Sequence, residues 1–155
     1  MSEAIDEQQR SDALDSLGGV LGEAGAAALN GPREQLADGL LRAAFTLWEN
    51  PQIRPKLLGI LHAAVNSEQG AEQMRAFLAN QLFAEAGKAI GIDGMDIYQA
   101  AETLKVPAIH VNAAAGQVWG VVLLRYIVKL EPIASASADE VIDLLNPTIQ
   151  RYLAG

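Results

Sequence analysis

Two histidines, His62 and His110, are the side chains best suited to acid–base or metal chemistry in this 155-residue chain. Neither stands in an HxxxH or HExxH pattern, the spacings that set two ligands on one helix face, so the sequence offers no metal site. There is no cysteine, which excludes disulfides, thiolate metal ligands and a thiol nucleophile. No GxSxG, Walker A loop or GxGxxG occurs, and Gly91-Ile-Asp-Gly94 is too short and too acidic to cradle a phosphate. No catalytic residue, metal or cofactor is therefore assigned, and the chain is not read as an enzyme. What remains is chemistry of recognition. Asn112, Trp119 and Tyr126 share one flank of a helix and would line an apolar cavity with a few oriented polar groups. His62, Phe77 and Gln81 would contribute from neighbouring helices. The plainer alternative places the aromatic residues in the core with their polar tips satisfied.

The elements that must position these side chains read as helices throughout. Half the residues are apolar but only 5% are aromatic, and Ala and Leu dominate, which favours helix over strand. Residues 1 to about 12 read as a frayed acidic tail. Leu14, Leu17, Leu21 and Ala24 mark a weak helix that Gly18, Gly19, Gly22 and Gly25 should leave short or irregular, at about 1 kcal/mol each. Asn30-Gly31-Pro32 stops it. Leu36, Leu40, Ala43 or Ala44, and Leu47 then define a helix ending at Asn50-Pro51, and Pro55 opens another carrying Leu57, Leu58, Leu61 and Val65. After a turn at residues 66–70, Met74, Phe77, Leu78, Leu82 and Ala86 stripe a long helix capped by Gly91. A short helix follows from Met95 to Leu104.

The helix from about Ala108 to Leu130 presents more apolar surface than one neighbour covers. Ala113, Gly116, Gly120, Leu123 and Ile127 fill a face next to the Asn112 flank, and Arg125 and Lys129 occupy a narrower third strip. Gly116 and Gly120, four apart, would let another helix approach closely, and a two-fold self-contact is the common use of such a face. Pro107, His110, Asn112 and Gln117 argue against reading residues 106–124 as a membrane span. Ser137-Ala-Asp-Glu140 has the form of a capping box that starts the last helix. Val141, Leu144, Leu145, Ile149, Tyr152 and Leu153 line its apolar side, and Pro147 should bend rather than break it.

The net charge is −8, with no Lys/Arg cluster. A surface that binds nucleic acid displaces counterions with cations, so neither DNA nor an anionic membrane is expected as a partner. The polar, acidic opening is not a signal or transit peptide, and a cytoplasmic location fits.

Arg125-Tyr-Ile-Val-Lys-Leu-Glu-Pro-Ile-Ala-Ser135 resembles the C-terminal domain of TetR-type transcriptional regulators of the actinobacterial kind. Pro147-Thr-Ile-Gln-Arg-Tyr-Leu153 is similar to the same domain, as are Leu47-Trp-Glu-Asn-Pro-Gln-Ile-Arg-Pro-Lys-Leu-Leu58 and His62-Ala-Ala-Val65, in the same order. The resemblance spans residues 30–155. It implies an all-α bundle that senses an effector and dimerises, its last two helices forming a four-helix interface with those of a second copy. Gly116, Gly120, Leu123, Ile127, Leu145, Ile149 and Tyr152 are the expected interface residues. A small, largely apolar ligand would sit among the earlier helices. Residues 1–29 do not match the helix-turn-helix head of such regulators, so they are read as a segment replacing or lacking it. The stretch from Asp93 to Pro107 is longer than the family pattern, which leaves the cavity entrance and the exact interface open. Three readings follow: a homodimeric sensor with no DNA contact of its own, a headless subunit that pairs with an intact regulator and blocks it, and the sensor fragment of a DNA-binding repressor.

Overall fold

The computed structural model describes the backbone of residues 3–155, and side-chain environments from Gln8 onward except at Ala89. Every regular element among them is helical: α1 Glu3–Asn30, α2 Leu36–Trp48, α3 Arg54–Asn66, α4 Glu68–Ala76, α5 Leu82–Ala89, α6 Ile97–Leu104, α7 Ala108–Val122 and α8 Ala138–Ala154. Two π-helical turns extend these, Phe77–Gln81 between α4 and α5 and Leu123–Ile127 at the end of α7. The all-α expectation is met.

The first helix corrects two expectations. Residues 3–30 form one 28-residue helix, neither frayed over residues 3–12 nor cut short by its glycines. The reading of residues 1 and 2 lies outside the described residues. The glycines are spent on close packing. A methyl group at Gly22 would stand 2.6 Å from the Glu85 Cβ and 3.1 Å from the Ala86 backbone nitrogen, and one at Gly18 would stand 3.3 Å from the Phe77 ring. Helix α1 thus lies almost backbone to backbone on α5. Burial of Leu14, Leu17 and Ala26 along the same helix offsets the glycine cost.

The remaining boundaries follow local chemistry. Ser67 caps α4 by accepting the Gly70 N–H at 3.0 Å, so the expected turn after α3 shrinks to a single residue. Gly91, at φ +82°, ends the run after α5 as a left-handed cap. Asp96 and Gln99 form a reciprocal capping box that starts α6. Ser137 caps α8 through the Glu140 N–H, and α8 continues through Pro147. Among the described residues no single helix is long and apolar enough to cross a membrane; α6 and α7 meet at 102°.

One core runs through the bundle, around Leu41, Phe45, Leu57, Phe77, Val122 and Val141. Helix α8 packs on α2 as well as on α7. Gln150 fixes that contact: its side-chain oxygen accepts the Ala37 N–H at 3.0 Å and its amide donates to the Arg33 carbonyl at 2.6 Å. The first turn of α2, which has no side-chain cap of its own, is thereby satisfied from the far end of the chain.

Candidate functional site

Between α1, α2, the α4–α5 run, α6 and α7 lies a cavity of about 490 Å³. Leu17 and Leu21 come from α1, Leu40, Leu41 and Trp48 from α2, Phe77 and Leu78 from the first π-helical turn, Ile97 and Leu104 from α6, and Val111, Val118 and Trp119 from α7. The π-helical turn contributes two consecutive residues, Phe77 and Leu78, to the same wall. Among the described residues no charged side chain lines the space. Its hydrogen-bonding groups are the Asn112 amide and the two indoles, and Asn112 is exposed, so it stands at the rim. A space of this size and lining suits a small molecule held chiefly by apolar contact.

Trp48 links the cavity wall to Tyr126, which lines a second, polar hollow with Glu49, Arg54, Arg125 and Lys129. The Trp48 ring meets Trp119 edge to face at 5.6 Å, and on another side it stacks on Tyr126 at 5.5 Å with an interplanar angle of 12°. Beyond Tyr126 lies the buried Arg125, only 7% exposed. Its guanidinium pairs with Glu49 at 2.6 Å and donates to the Ile133 carbonyl at 2.8 Å, to the Ala136 carbonyl and to the Tyr126 hydroxyl. The Tyr126 hydroxyl donates in turn to Glu49 at 3.1 Å. Arg54 donates to the Trp48 carbonyl at 2.6 Å and pairs with Glu49 at 3.4 Å, its guanidinium 4.9 Å from the centre of the Tyr126 ring. Burial works against the charge on Arg125, but the hydrogen bonds to Glu49 and Tyr126 outweigh it and hold the guanidinium above its ordinary value. Burial also raises the Tyr126 phenol, with the Glu49 charge adding and Arg125 partly opposing. All three guanidinium nitrogens of Arg125 donate within the protein, and Arg54 donates through two of its three. This arrangement is a clasp joining α2, α3 and the segment after α7.

The expected site residues separate into distinct places. Phe77, Asn112 and Trp119 come together at the apolar cavity. Tyr126 does not join them; the turn Leu123–Ile127 carries it into the clasp, with Arg125, which leaves the outer strip assigned to it and is buried. Gln81 sits in the first π-helical turn and donates to Asp15 rather than facing the cavity. His62 is exposed on α3, its ring 3.2 Å from the Asn66 amide, because its helix turns the other side toward the core through Leu57 and Ile60. His110 lies beside Tyr152 at 6.0 Å.

Of the expected interface residues, Gly116, Gly120, Leu123 and Ile127 fall on one exposed stripe of α7 with Ile109 and Asn112. At 100° per residue the four α-helical positions Ile109, Asn112, Gly116 and Gly120 lie within about 80° of one another, and the exposed Leu123 and Ile127 follow in the π-helical turn. A methyl group at Gly116 or Gly120 would meet nothing within 4 Å. Leu145 and Tyr152 are half-buried on α8. Ile149 is 2% exposed and packs into the chain's own core, leaving it no surface to offer a second copy. The exposed apolar residue of α8 is Leu144 instead. The contributions of Trp48, Glu49 and α6 were missed. Trp48 lies on the helical stripe of α2, but nothing local links Glu49 to Arg125 across the chain.

Among the described residues no cluster of acidic or histidine side chains could hold a metal ion. Cavity and helical architecture together define an all-α domain with an apolar cavity among its helices. The comparisons make this specific: the family described as Tetracyclin repressor-like, C-terminal domain, matches residues 34–153, and the chain belongs to that family. No curated protein and no solved structure matches it.

Proposed function

We propose that this chain is the sensing and dimerisation domain of a TetR-type regulatory system, acting in the cytoplasm. It pairs with a second copy through α7 and α8 and takes a small, largely apolar effector into the cavity between α1, α2, α6 and α7. It performs no catalysis and makes no DNA contact through this domain, in keeping with its net charge of −8. The observation that carries the reading is the double use of α7. Val111, Ala115, Val118 and Trp119 face the cavity, Gly116 stands at its edge, and Ile109, Gly116, Gly120, Leu123 and Ile127 form a stripe left exposed among the described residues. One rigid element therefore joins a binding space to a pairing face. Ligand and partner can bias each other only if the ligand binds two states of that element with different affinity.

The ligand half is tested by a thermal-shift screen against small uncharged hydrocarbons and terpenoids. A molecule that binds the folded chain at 100 times its Kd adds about 2.7 kcal/mol to apparent stability. Saturable upward shifts that disappear when the cavity is filled by Ala115→Phe support the reading. A screen in which no compound shifts the wild type beyond that variant counts against it.

A further inference from the structure

The lining of the cavity also selects among ligands, and this step rests on reading the cavity as a ligand site. All of its deep walls are hydrocarbon or aromatic, from Leu17 and Leu21 across to Leu104 and Val118. Among the described residues no Lys, Arg, Asp or Glu lines it; in the nearby polar hollow Arg125 is engaged by Glu49 and backbone carbonyls, and Lys129 lines that hollow and not the cavity. An ionised group brought inside would lose its water and gain no counterion. A charge kept outside would withdraw part of its tail from the cavity, and an anion would also meet a chain of net charge −8. At the rim, on the cavity edge of the exposed α7 stripe, Asn112 offers both an amide donor and a carbonyl acceptor.

We infer that the cavity takes an uncharged amphiphile: a hydrocarbon body inside, and a single hydroxyl, carbonyl or amide at the rim against Asn112. Asn112 sets the orientation of the ligand, while its affinity comes from the buried hydrocarbon.

The chain carries its own reporter. Its two tryptophans, Trp48 and Trp119, both line the cavity, so indole emission reads occupancy without a label. The full chain is titrated with bromocyclohexane, whose heavy atom quenches an indole on contact and which has no hydrogen-bond donor. 1-Octanol, octanoate and octylammonium are then compared as competitors. Saturable quenching is expected, relieved by 1-octanol, with both ions at least about 10-fold weaker competitors than the alcohol. Asn112→Leu, at an exposed position, should weaken 1-octanol about 5-fold relative to bromocyclohexane titrated against the same variant, the loss of one hydrogen bond. Octanoate or octylammonium competing as well as 1-octanol overturns the charge selection while leaving a ligand cavity in place. Unchanged 1-octanol competition in Asn112→Leu overturns the role of Asn112. Absence of any saturable quenching removes the ligand reading itself, and this inference with it.

Discussion

The two ends of α7 meet the rest of the chain in opposite ways. From its first turn to its last, Val111, Ala115, Val118 and Trp119 border an apolar cavity of about 490 Å³. At its far end Arg125 and Tyr126 enter a knot in which each polar group has a partner: Glu49, Arg54, and the carbonyls of Ile133 and Ala136. Each region is served by one π-helical turn, and Trp48 belongs to both. The difference separates holding from hosting. A cavity with no polar demands leaves nothing unsatisfied when empty, so it remains available to a guest. The clasp spends Arg125 and Tyr126 on Glu49 and backbone carbonyls, and so fixes the end of α7 and the segment after it against α2.

The contrast breaks most visibly at Arg125. A buried ion pair adds little net stability over a well-packed apolar substitute, yet removing one partner strands the others. Arg125→Leu deletes the guanidinium that satisfies Glu49 and two carbonyls, and should cost about 3 kcal/mol. That corresponds to a fall of roughly 6–12 °C in Tm for a chain of this size, read by calorimetry. A loss below about 1 kcal/mol would mean that the clasp does not hold the fold.

Tyr126→Phe should cost about 1 kcal/mol in chemical denaturation, because it removes the hydroxyl bond to Glu49 and keeps the stack on Trp48. The same variant has a pH signature. Burial raises the Tyr126 phenol, so the folded chain keeps that proton to higher pH than the unfolded chain does. Above about pH 10 the folded state binds more protons, and stability falls as pH rises further. The wild type should lose stability there more steeply than Tyr126→Phe; parallel curves would contradict the placement of the hydroxyl.

The smallest effect on stability belongs to the cavity. Ala115→Phe adds a ring to empty space, so it should change stability by less than about 1 kcal/mol while abolishing ligand-dependent shifts. A cost of several kcal/mol would show that the space is not free for a guest.

The contrast also shows what a sequence makes legible. Helical periodicity revealed the stripes of α2, the α4–α5 run, α7 and α8, and the capping signals at Ser137 and Gly91 stand where expected. The family resemblance agrees with the match over residues 34–153. Asn112, Phe77 and Trp119 were legible because each lies on an apolar face that must meet another helix. Three features were not. The glycines of α1 were read for their local cost, whereas Gly22 is set by how near α5 comes. Arg125 was assigned to an outer strip because burying a charge depends on a partner far along the chain, here Glu49. Ile149 was assigned to a pairing face because periodicity shows that a helix has an apolar side, not which neighbour covers it. Helix α2 covers that side of α8, and Leu144 is left outside.

The central claim, that the exposed stripe of α7 is a self-pairing face, is tested most directly by the molar mass in solution of the wild type and of Gly120→Arg, measured by light scattering across a concentration series. A Cβ at the exposed Gly120 would meet nothing within 4 Å, and Arg is a better helix former than Gly by about 1 kcal/mol, so the variant should fold as well as the wild type. The account predicts twice the 16.4 kDa chain mass for the wild type and a single-chain mass for Gly120→Arg. A wild type that remains at one chain mass throughout, or a Gly120→Arg variant that keeps the doubled mass, would contradict it.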